Sequence, residues 1–473
     1  MIPDRLEFLT DPDLPPAQLA RLFADAGEEI YLVGGSVRDA FLGRDLSELD
    51  FDFATGARPD RVTEILERWA DVVYHVGTVF GTVAAQKSGR TVEVTTYRSE
   101  IYRDDSRKPQ VSFSDDIATD LSRRDFTVNA VALSLPELEA IDPHGGLADI
   151  AQEVLRTPLD PEVSFGDDPL RMLRLFRFQA TLDFTLDDSA VTAVREMAPR
   201  LGIISAERIR DELSKLLLAP SPGVALGLIV ETGLAAQFLP ELPRLAMEQD
   251  PHHHHKDVLA HTFAVVDKAS PDLVLRLAAL LHDVGKPDTR EFGPGGVSFH
   301  HHEVVGARMA RHRLRELRYP KDVVDDVSQL VYLHLRPHTL KLGWTDSAVR
   351  RYVRDAGHLV GKLNELVRCD VTTANKRRES AIQARIDELE ERIAFLSAHE
   401  ELARLRPPLD GNEVMDYLGM EPGPAVGEIM DVLLEKRIED GPYQREEGYA
   451  IARSWAIERG MPDPGPVPAD EEE

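Results

Sequence analysis

The stretch that decides the fold is "YLVGGSVRDAFLGRDLSELDFDFA", residues 31–54. It reads as a short apolar strand, a Gly-Gly turn, a helix and a second strand, a pattern typical of a sheet packed against helices. Gly34 and Gly35 leave room for backbone N–H groups to approach a phosphate, and the start of the following helix adds partial positive charge. Arg38, one turn into that helix, can direct its guanidinium at the same phosphate. The stretch therefore predicts a phosphate-binding turn.

Two aspartates end this stretch. Asp50 and Asp52 are two residues apart on the second predicted strand, so their side chains leave the same face. Two neighbouring carboxylates repel each other unless a cation lies between them. We expect Mg²⁺ to bridge the pair, with substrate phosphates as further ligands. Glu93, in "VEV" on a later strand, is a candidate third catalytic carboxylate and metal ligand if that strand lies alongside.

The surrounding sequence predicts an α+β fold. Short β-branched segments between residues 29 and 97, with the helical "RVTEILERWA" among them, indicate a small mixed sheet of about five strands. Residues 98–110 are polar and without periodicity, and we expect a mobile loop beside the sheet. From residue 116 onward the pattern turns helical, which predicts an all-α remainder.

Composition limits the classes of function. The chain has 473 residues and a formal net charge of −28, which argues against nucleic-acid binding over its whole surface. Phosphate binding needs only local basic clusters, and such clusters stand at 171–178 and 308–318, although each alone fits a solvated helix face. We find no apolar run of about 18 residues and no signal peptide, so we expect no membrane partner. The single cysteine, Cys369, excludes an intrachain disulfide and suits a reducing cytoplasm.

Five motifs follow one another in a fixed order: "GGSVRD", "LDFDF", "RRDFTVNAVAL", "DDPLRMLRLFRF" and "ERIRDEL". Together they resemble the motifs of class II nucleotidyltransferases, the family of CCA-adding tRNA nucleotidyltransferases and bacterial poly(A) polymerases within the DNA polymerase beta superfamily. The resemblance implies that Asp50 and Asp52 hold metal ions that activate the primer 3′-hydroxyl and steady the triphosphate. It also implies that Arg124 and Asp125 lie near the phosphates and the ribose, and that the partners are CTP, ATP and the tRNA 3′ end.

The "DDPLRMLRLFRF" motif concerns choice of the base. Asp168 and Arg171 are three residues apart, so we expect them to share a helix face. A carboxylate accepts from an exocyclic amino group and a guanidinium donates to a ring acceptor, a pattern that cytosine and adenine share. By the same resemblance Arg174 and Arg177 continue the stripe as nucleotide contacts. Asp167 stands where the family usually has glutamate, a longer side chain.

Histidines gather in "LAHTF", "LLHDVGKP", "FHHHEVVGA" and "YLHL", followed by "VRCDVTT". These segments resemble an HD-domain metallohydrolase, and a His-Asp doublet inside an apolar helix is costly to bury unless a metal or hydrogen bonds satisfy it. By this match the ligands of a divalent ion, or of two, are His261, His282, Asp283, His302, His334 and Asp370. Imidazoles with carboxylates suit Mn²⁺, Fe, Co²⁺ or Ni²⁺ better than Mg²⁺. The resemblance implies a phosphohydrolase acting on 2′,3′-cyclic phosphates or tRNA ends, with an inert HD domain as the alternative.

The chain is therefore predicted to hold five parts: a nucleotidyltransferase head at 1–155, a helical neck for base recognition and RNA binding at 156–250, an HD domain at 251–380, a tRNA-binding helical tail at 381–460 and a disordered acidic end at 461–473. The leading hypothesis is template-independent CCA addition. A poly(A) polymerase shares every head motif, but the acidic total and the lack of a basic C-terminal extension favour the first. The other alternative is an HD hydrolase whose head only senses nucleotides.

Overall fold

The computed structural model describes residues 4–44, 51–74, 81–101, 110–247, 257–293, 296–339, 344–371, 376–400 and 405–468. It divides into two compact units, residues 1–244 with 316–319, and residues 245–315 with 320–473. Hydrophobic clusters lie inside each unit. Among the described residues, no helix is long and apolar enough to cross a bilayer.

A seven-stranded mixed sheet forms the centre of the first unit. The strands of this unit are β1 Ile30–Val33, β2 Phe51–Thr55, β3 Val72–Tyr74, β4 Thr82–Lys87, β5 Arg90–Thr96, β6 Arg98–Ile101, β7 Gln110–Phe113, β8 Ala132–Ser134, β9 Ala140–Ile141, β10 Val154–Leu155 and β11 Thr185–Leu186. The order in the sheet is β3-β4-β5-β2-β1-β8-β9, in which only the β2–β5 pair is parallel. The α+β fold class is confirmed.

Two details of the predicted sheet are wrong. The sheet has seven strands and not about five, because β8 and β9 come from a region where a helical pattern was expected. Residues 130–133, "AVAL", are all buried, and a short apolar run of this kind fits a buried strand as well as a helix. The expected loop at 98–110 begins and ends in strands, since β6 and β7 pair as an antiparallel hairpin; its residues 102–109 lie outside the described part of the chain.

Ten helices are described in the first unit. They are α1 Pro15–Asp25, α2 Gly35–Phe41, α3 Pro59–Leu66, α4 Ile117–Ser122, α5 Gly146–Gln152, α6 Pro161–Asp167, α7 Leu170–Leu182, α8 Asp188–Met197, α9 Ala206–Leu217 and α10 Pro222–Glu231. Proline at the first turn of α1, α3, α6 and α10 suits a position whose N–H has no intrahelical partner.

The two faces of β2 differ as period-two alternation requires. Phe51 and Phe53 are 2% and 1% exposed and pack into the core that helices α1, α2 and α3 complete. Asp52 between them is exposed, on the opposite face, where Ala54 and Tyr97 join a second cluster that includes Leu121 of α4. The buried phenylalanines thus anchor the strand that presents the aspartate.

The second unit is built from helices and one hairpin. Its elements are α11 Val258–Lys268, α12 Leu273–Leu281, β12 Arg290–Gly293, β13 Gly296–Phe299, α13 His302–Glu316, α14 Lys321–Leu333, α15 Arg336–Thr339, α16 Asp346–Ala356, α17 Val360–Asp370, α18 Lys376–Glu400, α19 Gly411–Leu418, α20 Pro424–Asp440 and α21 Arg445–Glu458. The predicted boundary at 380/381 falls inside α18, a continuous helix of 25 residues. Helices α19, α20 and α21 close a separate small core around Val414, Leu433 and Trp455.

Candidate active site and metal centre

The Gly-Gly turn lies between β1 and α2. Gly34 has φ 77° and ψ −140°, a backbone conformation that side-chain-bearing residues adopt only with strain. A Cβ atom on Gly34 would lie 3.3 Å from Arg124 Nη1 and 3.5 Å from Asp52 Oδ2. The turn therefore faces a carboxylate and a guanidinium at once, the two kinds of group that a metal-bound phosphate requires.

Asp52 and Glu93 lie side by side on neighbouring parallel strands. The register of β2 against β5 makes them partners, so their side chains leave the same face of the sheet. Both side chains are exposed, and strands about 4.8 Å apart bring two carboxylates within reach of one cation. Glu93 was predicted as a third ligand only if its strand lay beside the strand of the aspartates, and β5 does pair with β2. Asp50 lies outside the described residues, so the predicted Asp50–Asp52 pair stays a prediction.

Arg38 is held by protein groups in this structure. Its Nε and Nη2 donate to the two carboxylate oxygens of Asp39 at 3.0 and 2.8 Å, and its Nη1 donates to Asn129 Oδ1 at 2.6 Å. The side chain is buried. Arg38 therefore fixes Asn129 and its own helix, and its contact with a phosphate stays a prediction.

Both arginines of "RRDF" are tied to one buried carboxylate on α4. Asp120 is 1% exposed and accepts from Arg123 Nη2 at 2.6 Å and from Arg124 Nη2 at 3.2 Å. Burial alone would raise the pKa of Asp120, but the two guanidinium groups outweigh burial and lower it. Asp120 thus stays ionised and holds Arg124 beside Gly34.

Asp125 joins the head motif to helices α7 and α9. Its Oδ2 accepts from Arg174 Nε and Nη2 at 3.0 and 2.6 Å, and its Oδ1 accepts from Asn129 Nδ2 at 3.0 Å. Arg174 Nη1 and Arg177 Nε both donate to Glu212, at 3.0 and 2.6 Å. Burial would raise the pKa of Asp125, but the Arg174 charge and these hydrogen bonds hold it well below its usual range. The predicted arginine stripe exists, and the guanidinium groups of Arg174 and Arg177 bind the buried carboxylates of Asp125 and Glu212.

The expectation that Asp168 and Arg171 share a helix face is wrong. Asp168 lies between α6 and α7 with φ −138° and ψ 98°, because the residue before a proline, here Pro169, is pushed from helical to extended backbone. The Asp168 carboxylate accepts from the N–H of Leu170 at 3.1 Å and from Arg208 Nη2 at 2.6 Å.

Arg171 is buried on the first turn of α7. Its Nη1 donates to the backbone oxygen and the hydroxyl of Ser164, at 3.2 and 3.0 Å, and its Nη2 donates to the carbonyl of Arg123. Arg171 therefore connects α6 with the "RRDF" segment. Asp168 and Arg171 remain neighbours in the chain, but each is positioned by its own set of partners.

Six residues predicted as metal ligands meet in the second unit. His261 lies on α11, His282 and Asp283 follow α12, His302 begins α13, His334 follows α14 and Asp370 ends α17. His261 Nε2 lies 2.9 Å from Asp370 Oδ1 and 3.3 Å from His282 Nε2, and His302 Nε2 lies 3.4 Å from Asp283 Oδ1. Two overlapping groups have all their donor atoms within 4.8 Å of one another: His261, His282 and Asp283, and Asp283, His302 and His334.

Backbone carbonyls orient three of the imidazoles. The Nδ1 atoms of His282, His302 and His334 lie 2.7, 2.8 and 2.6 Å from the carbonyl oxygens of the residues three positions earlier. This contact sets Nδ1 as the N–H donor and turns Nε2 of each ring toward the shared centre, the arrangement of metal-binding histidines. Among the described residues, the buried Nε2 of His302 has no hydrogen-bond partner. The cluster thus fits a bound cation.

Electrostatics point the same way. Burial alone would lower the pKa of His282. The negative charge of Asp283, together with the hydrogen bonds that His282 makes to Asp283 and Asp370, outweighs burial and raises the pKa to about 10. Burial lowers the pKa of His334 to about 3, helped by repulsion from His282. Asp283 is kept ionised by His282 and by Lys286, whose Nζ lies 2.6 Å away. The ionised carboxylates of Asp283 and Asp370 favour a positive charge in this buried centre. A divalent ion would supply that charge in place of the proton on His282.

Several residues of these sites were not singled out in the sequence. Asn129, Arg208, Glu212 and Lys286 each contact a predicted site residue. Glu212 carried a readable signal, because it follows Ile209 by three residues on the apolar side of α9. A carboxylate at such a buried position needs cationic partners. Arg208 is exposed, and its position gave no comparable signal.

The chain is similar to known proteins along most of its length. Family models match in three places: "Poly A polymerase head domain" at residues 30–156, "Probable RNA and SrmB- binding site of polymerase A" at 183–245 and "HD domain" at 253–393. The A-adding tRNA nucleotidyltransferase of Deinococcus radiodurans is 33% identical over 445 residues, covering 90% of this chain and 95% of that protein. The chain belongs to the tRNA nucleotidyltransferase family.

Other members of the tRNA nucleotidyltransferase family match over nearly their full length. The CCA-adding enzyme of Geobacillus thermodenitrificans is 31% identical, covering 94% of this chain and 98% of that protein. The CC-adding tRNA nucleotidyltransferase of Thermus thermophilus is 32% identical, covering 92% and 97%. The solved Bacillus stearothermophilus CCA-adding enzyme in complex with CTP superposes with a TM-score of 0.69 at 25% identity, covering 97% and 99%. The family resemblance in the motifs is confirmed, and the protein is a nucleotidyltransferase.

Proposed function

We propose that this nucleotidyltransferase adds C, C and A to the 3′ end of tRNA, using CTP and ATP and no nucleic-acid template. The observation that carries the proposal is the Gly34 turn facing Asp52 and Arg124, with Glu93 paired to Asp52 on the next strand, in a chain that matches CCA-adding enzymes over nearly its full length. The geometry supports phosphoryl transfer, because it puts carboxylates for metal ions beside a backbone that phosphates can approach.

The head residues divide the work of nucleotide transfer. We propose that Asp50 and Asp52, with Glu93 beside them, hold Mg²⁺, which when bound makes the primer hydroxyl more acidic and neutralises charge on the leaving pyrophosphate. Gly34 and Gly35 admit the triphosphate to the backbone. Arg124, held by Asp120, adds a fixed positive charge at the same place.

The neck residues support a choice of base without a template. Asp168 accepts from the amino group that cytosine and adenine share. Arg171, whose Nη1 and Nη2 donate to Ser164 and to the Arg123 carbonyl in this structure, turns a donor toward the neighbouring ring acceptor when the base binds. Arg208 holds one oxygen of Asp168, which leaves lone pairs on the carboxylate for the base. Arg174 and Arg177 lie behind this pair and fix Asp125 and Glu212. Their proposed nucleotide contacts require some of these donors to turn outward.

Two narrower activities are favoured by specific relatives. The Deinococcus radiodurans relative is named for A addition and the Thermus thermophilus relative for CC addition, and both match this chain at the same level as the CCA-adding enzymes. Addition of A alone to a tRNA that already ends in CC is therefore the second candidate. The poly(A) polymerase hypothesis receives no such full-length relative among those described above.

The deciding experiment uses three transcripts of one tRNA, ending before the CCA, after the first C and after the second C. Each is incubated with CTP alone, ATP alone and both, and the products are separated at single-nucleotide resolution. CCA addition predicts two C from CTP on the first transcript and one further A when ATP is added. Extension of only the CC-ended transcript by one A would assign A addition, and a long A tract would assign poly(A) synthesis.

For the second unit we propose a metal-dependent phosphohydrolase that uses the six-residue cluster. His261, His282, Asp283 and Asp370 would hold one divalent transition metal, with His302 and His334 available for a second. A metal in such a site supplies an acidified water as nucleophile. Water adds across the phosphorus–oxygen bond of a phosphate ester, its oxygen bonding to phosphorus and its proton passing to the leaving oxygen. Lys286, 2.6 Å from Asp283, keeps that carboxylate ionised and oriented.

Hydrolysis is tested separately from addition. The purified protein is freed of metal, reloaded with Mn²⁺, Co²⁺ or Ni²⁺, and assayed for opening of 2′,3′-cyclic AMP. Metal-dependent product formation that is lost in the His282→Ala/Asp283→Ala variant supports the proposal. Metal binding without turnover of any phosphate ester would assign the cluster a structural role.

A further inference from the structure

Helix α9 makes two different sets of contacts on two opposite faces. On one face Arg208 donates to the Asp168 carboxylate, and Glu212 accepts from two arginines of α7. Arg208 and Glu212 are four residues apart, as are Arg210 and Ser214. A step of two residues turns about 200° around an α-helix, so Arg210 and Ser214 lie on the face opposite to Arg208 and Glu212.

The opposite face of α9 contacts residues 316–319, which we call the α13–α14 link and which belong to the first unit. Arg210 Nη1 donates to the carbonyl oxygen of Arg318 at 2.8 Å. The Tyr319 hydroxyl lies 2.9 Å from Ser214 Oγ. Because Ser214 donates its own proton to the Arg210 carbonyl, at 2.8 Å, Tyr319 is the donor to Ser214. The link therefore holds both a side chain and a hydroxyl of α9.

The conformation of the α13–α14 link suits these contacts. Leu317 and Tyr319 are 4% and 7% exposed, whereas Arg318 between them is exposed. Arg318 has φ 61°, a left-handed backbone that a residue with a side chain keeps only where surrounding contacts fix it. Burial raises the pKa of Tyr319 to about 12, so its hydroxyl keeps its proton and remains a donor. The link is thus fixed by burial as well as by its hydrogen bonds to α9.

The position of α9 decides whether Arg208 can hold Asp168. Arg208 is exposed, so the place of its guanidinium depends on the backbone from which it extends. Its Nη2 lies 2.6 Å from Asp168 Oδ2, and a shift of the helix by about 1 Å would take this contact beyond hydrogen-bond distance. Small displacements of this size, made far from the reacting atoms, are known to reduce activity strongly.

We propose that Tyr319, together with the carbonyl of Arg318, positions α9 and thereby contributes, through Arg208 and Asp168, to the choice of base in nucleotide addition. The inference rests on the proposed recognition of the base by Asp168. Tyr319 acts through other residues, so it is a positioning residue and not a catalytic one.

The test uses Tyr319→Phe in the full-length protein, a change that removes the hydroxyl and keeps the ring. The matched control is Tyr352→Phe. Tyr352 is 3% exposed and donates to Asn364 Oδ1 at 2.5 Å, so the control also loses one hydrogen bond of a buried tyrosine, at a site away from α9. Measured are KM and kcat for CTP and ATP on the tRNA transcripts that the parent protein extends, the fraction of UMP incorporated by mistake, and the melting temperature.

We expect Tyr319→Phe to raise KM for the correct nucleotide about threefold to fivefold, to leave kcat within about twofold, and to raise the fraction of UMP about threefold. Tyr352→Phe should lower the melting temperature by a similar amount and keep the parental KM and UMP fraction. Ser214→Ala should reproduce the effect of Tyr319→Phe, and the double variant should add little to either, because the two groups form one contact.

Parental KM and UMP fraction in Tyr319→Phe, an equal change in Tyr352→Phe, or additive effects of the Tyr319 and Ser214 substitutions would each overturn the proposal. Asp168→Asn tests the underlying function separately: if its choice of base equals that of the parent, recognition by Asp168 fails by itself. The link is then judged by hydrogen exchange of the amides of α9. Faster exchange in Tyr319→Phe than in Tyr352→Phe supports the positioning of α9, and equal exchange rejects it.

Discussion

Asp52 on β2 and Glu93 on β5 are register partners in the one parallel strand pair of the head sheet. Parallel pairing aligns the two carboxylates on one face. Gly34 lies on the neighbouring turn, where a Cβ atom placed on it would be 3.5 Å from Asp52 Oδ2. The acidic pair and the glycine turn are therefore two sides of one site, although they are separated by up to 59 residues in the chain.

Replacing Asp52 by Asn should abolish nucleotide addition. The change removes one negative charge from the metal site with little change in shape, so we expect a loss of about 10³-fold or more in the single-turnover rate of CMP incorporation, equivalent to about 4 kcal/mol. Affinity for tRNA should change less than twofold. The control is Asp60→Asn, an exposed acid on α3, which should leave the rate unaltered; normal incorporation by the Asp52 variant would remove the metal argument.

Glu93→Gln separates a metal ligand from a bystander. As a ligand, Glu93 contributes charge to cation binding, so its loss should raise the Mg²⁺ concentration for half-maximal addition several-fold, with part of the rate recovered at high Mg²⁺. A magnesium titration of the incorporation rate measures this. An unchanged titration curve would reduce Glu93 to a surface residue of β5.

Arg208 positions Asp168 and should influence the choice of base. Its Nη2 donates to Asp168 at 2.6 Å, so Arg208→Ala frees the carboxylate to rotate. We expect KM for both CTP and ATP to rise about fivefold to tenfold, the cost of about 1 kcal/mol of lost ordering, and misincorporation of UTP to increase. Arg208→Lys should restore part of the effect, and a variant with parental selectivity would show that Asp168 is held by other means.

The Asp125–Arg174 pair should matter for stability and its dependence on pH. Arg174→Ala leaves a buried carboxylate without its cation, and we expect the free energy of unfolding to fall by about 3 kcal/mol. Because the pKa of Asp125 is lowered in the folded state, its contribution is present above the unfolded pKa of about 4 and is lost as the pH falls below that value.

Urea unfolding of the parent protein and the Asp125→Asn variant between pH 6 and pH 3 measures this effect. The parent should lose stability more steeply than the variant on acidification. Parallel curves would show that Asp125 does not carry the pH dependence.

The metal cluster should be separable from nucleotide addition. His282→Ala/Asp283→Ala removes two central donors, so metal content measured by mass spectrometry should fall from about one ion or more per chain to near zero, while CMP and AMP incorporation remain within twofold. His358→Ala, an exposed histidine paired with Asp326, is the control and should keep its metal. Collapse of addition in the double variant would show that the cluster supports the rest of the chain structurally.

The sequence predicted those features of the molecule that depend on residue type and on spacing over a few positions. The Gly-Gly turn and the alternation of Phe51, Asp52 and Phe53 could be placed from spacing and residue type, whereas the six-residue cluster was predicted from the family resemblance. Strand count was underestimated because "AVAL" is equally compatible with a buried strand and a buried helix.

Contacts between distant segments were out of reach. No sequence spacing indicates that Arg208 donates to Asp168, or that the Arg38 guanidinium donates to Asp39 and Asn129. The helix boundary at Pro169 was readable, since proline pushes the preceding residue to extended backbone, but the i, i+3 spacing of Asp168 and Arg171 was given more weight. The structure therefore places Asp168 and Arg171 differently from the prediction. The proposed base recognition now depends on their hydrogen-bonding groups and no longer on a shared helix face.

The most direct test of the two-carboxylate site is a crystal of the protein soaked with CTP and Mn²⁺, with anomalous scattering used to locate the ions. We predict manganese within about 2.2 Å of Asp52 and a carboxylate partner, with triphosphate oxygens completing the coordination beside Gly34. Bound CTP with its ions elsewhere and the Asp52 side chain turned away would contradict the account.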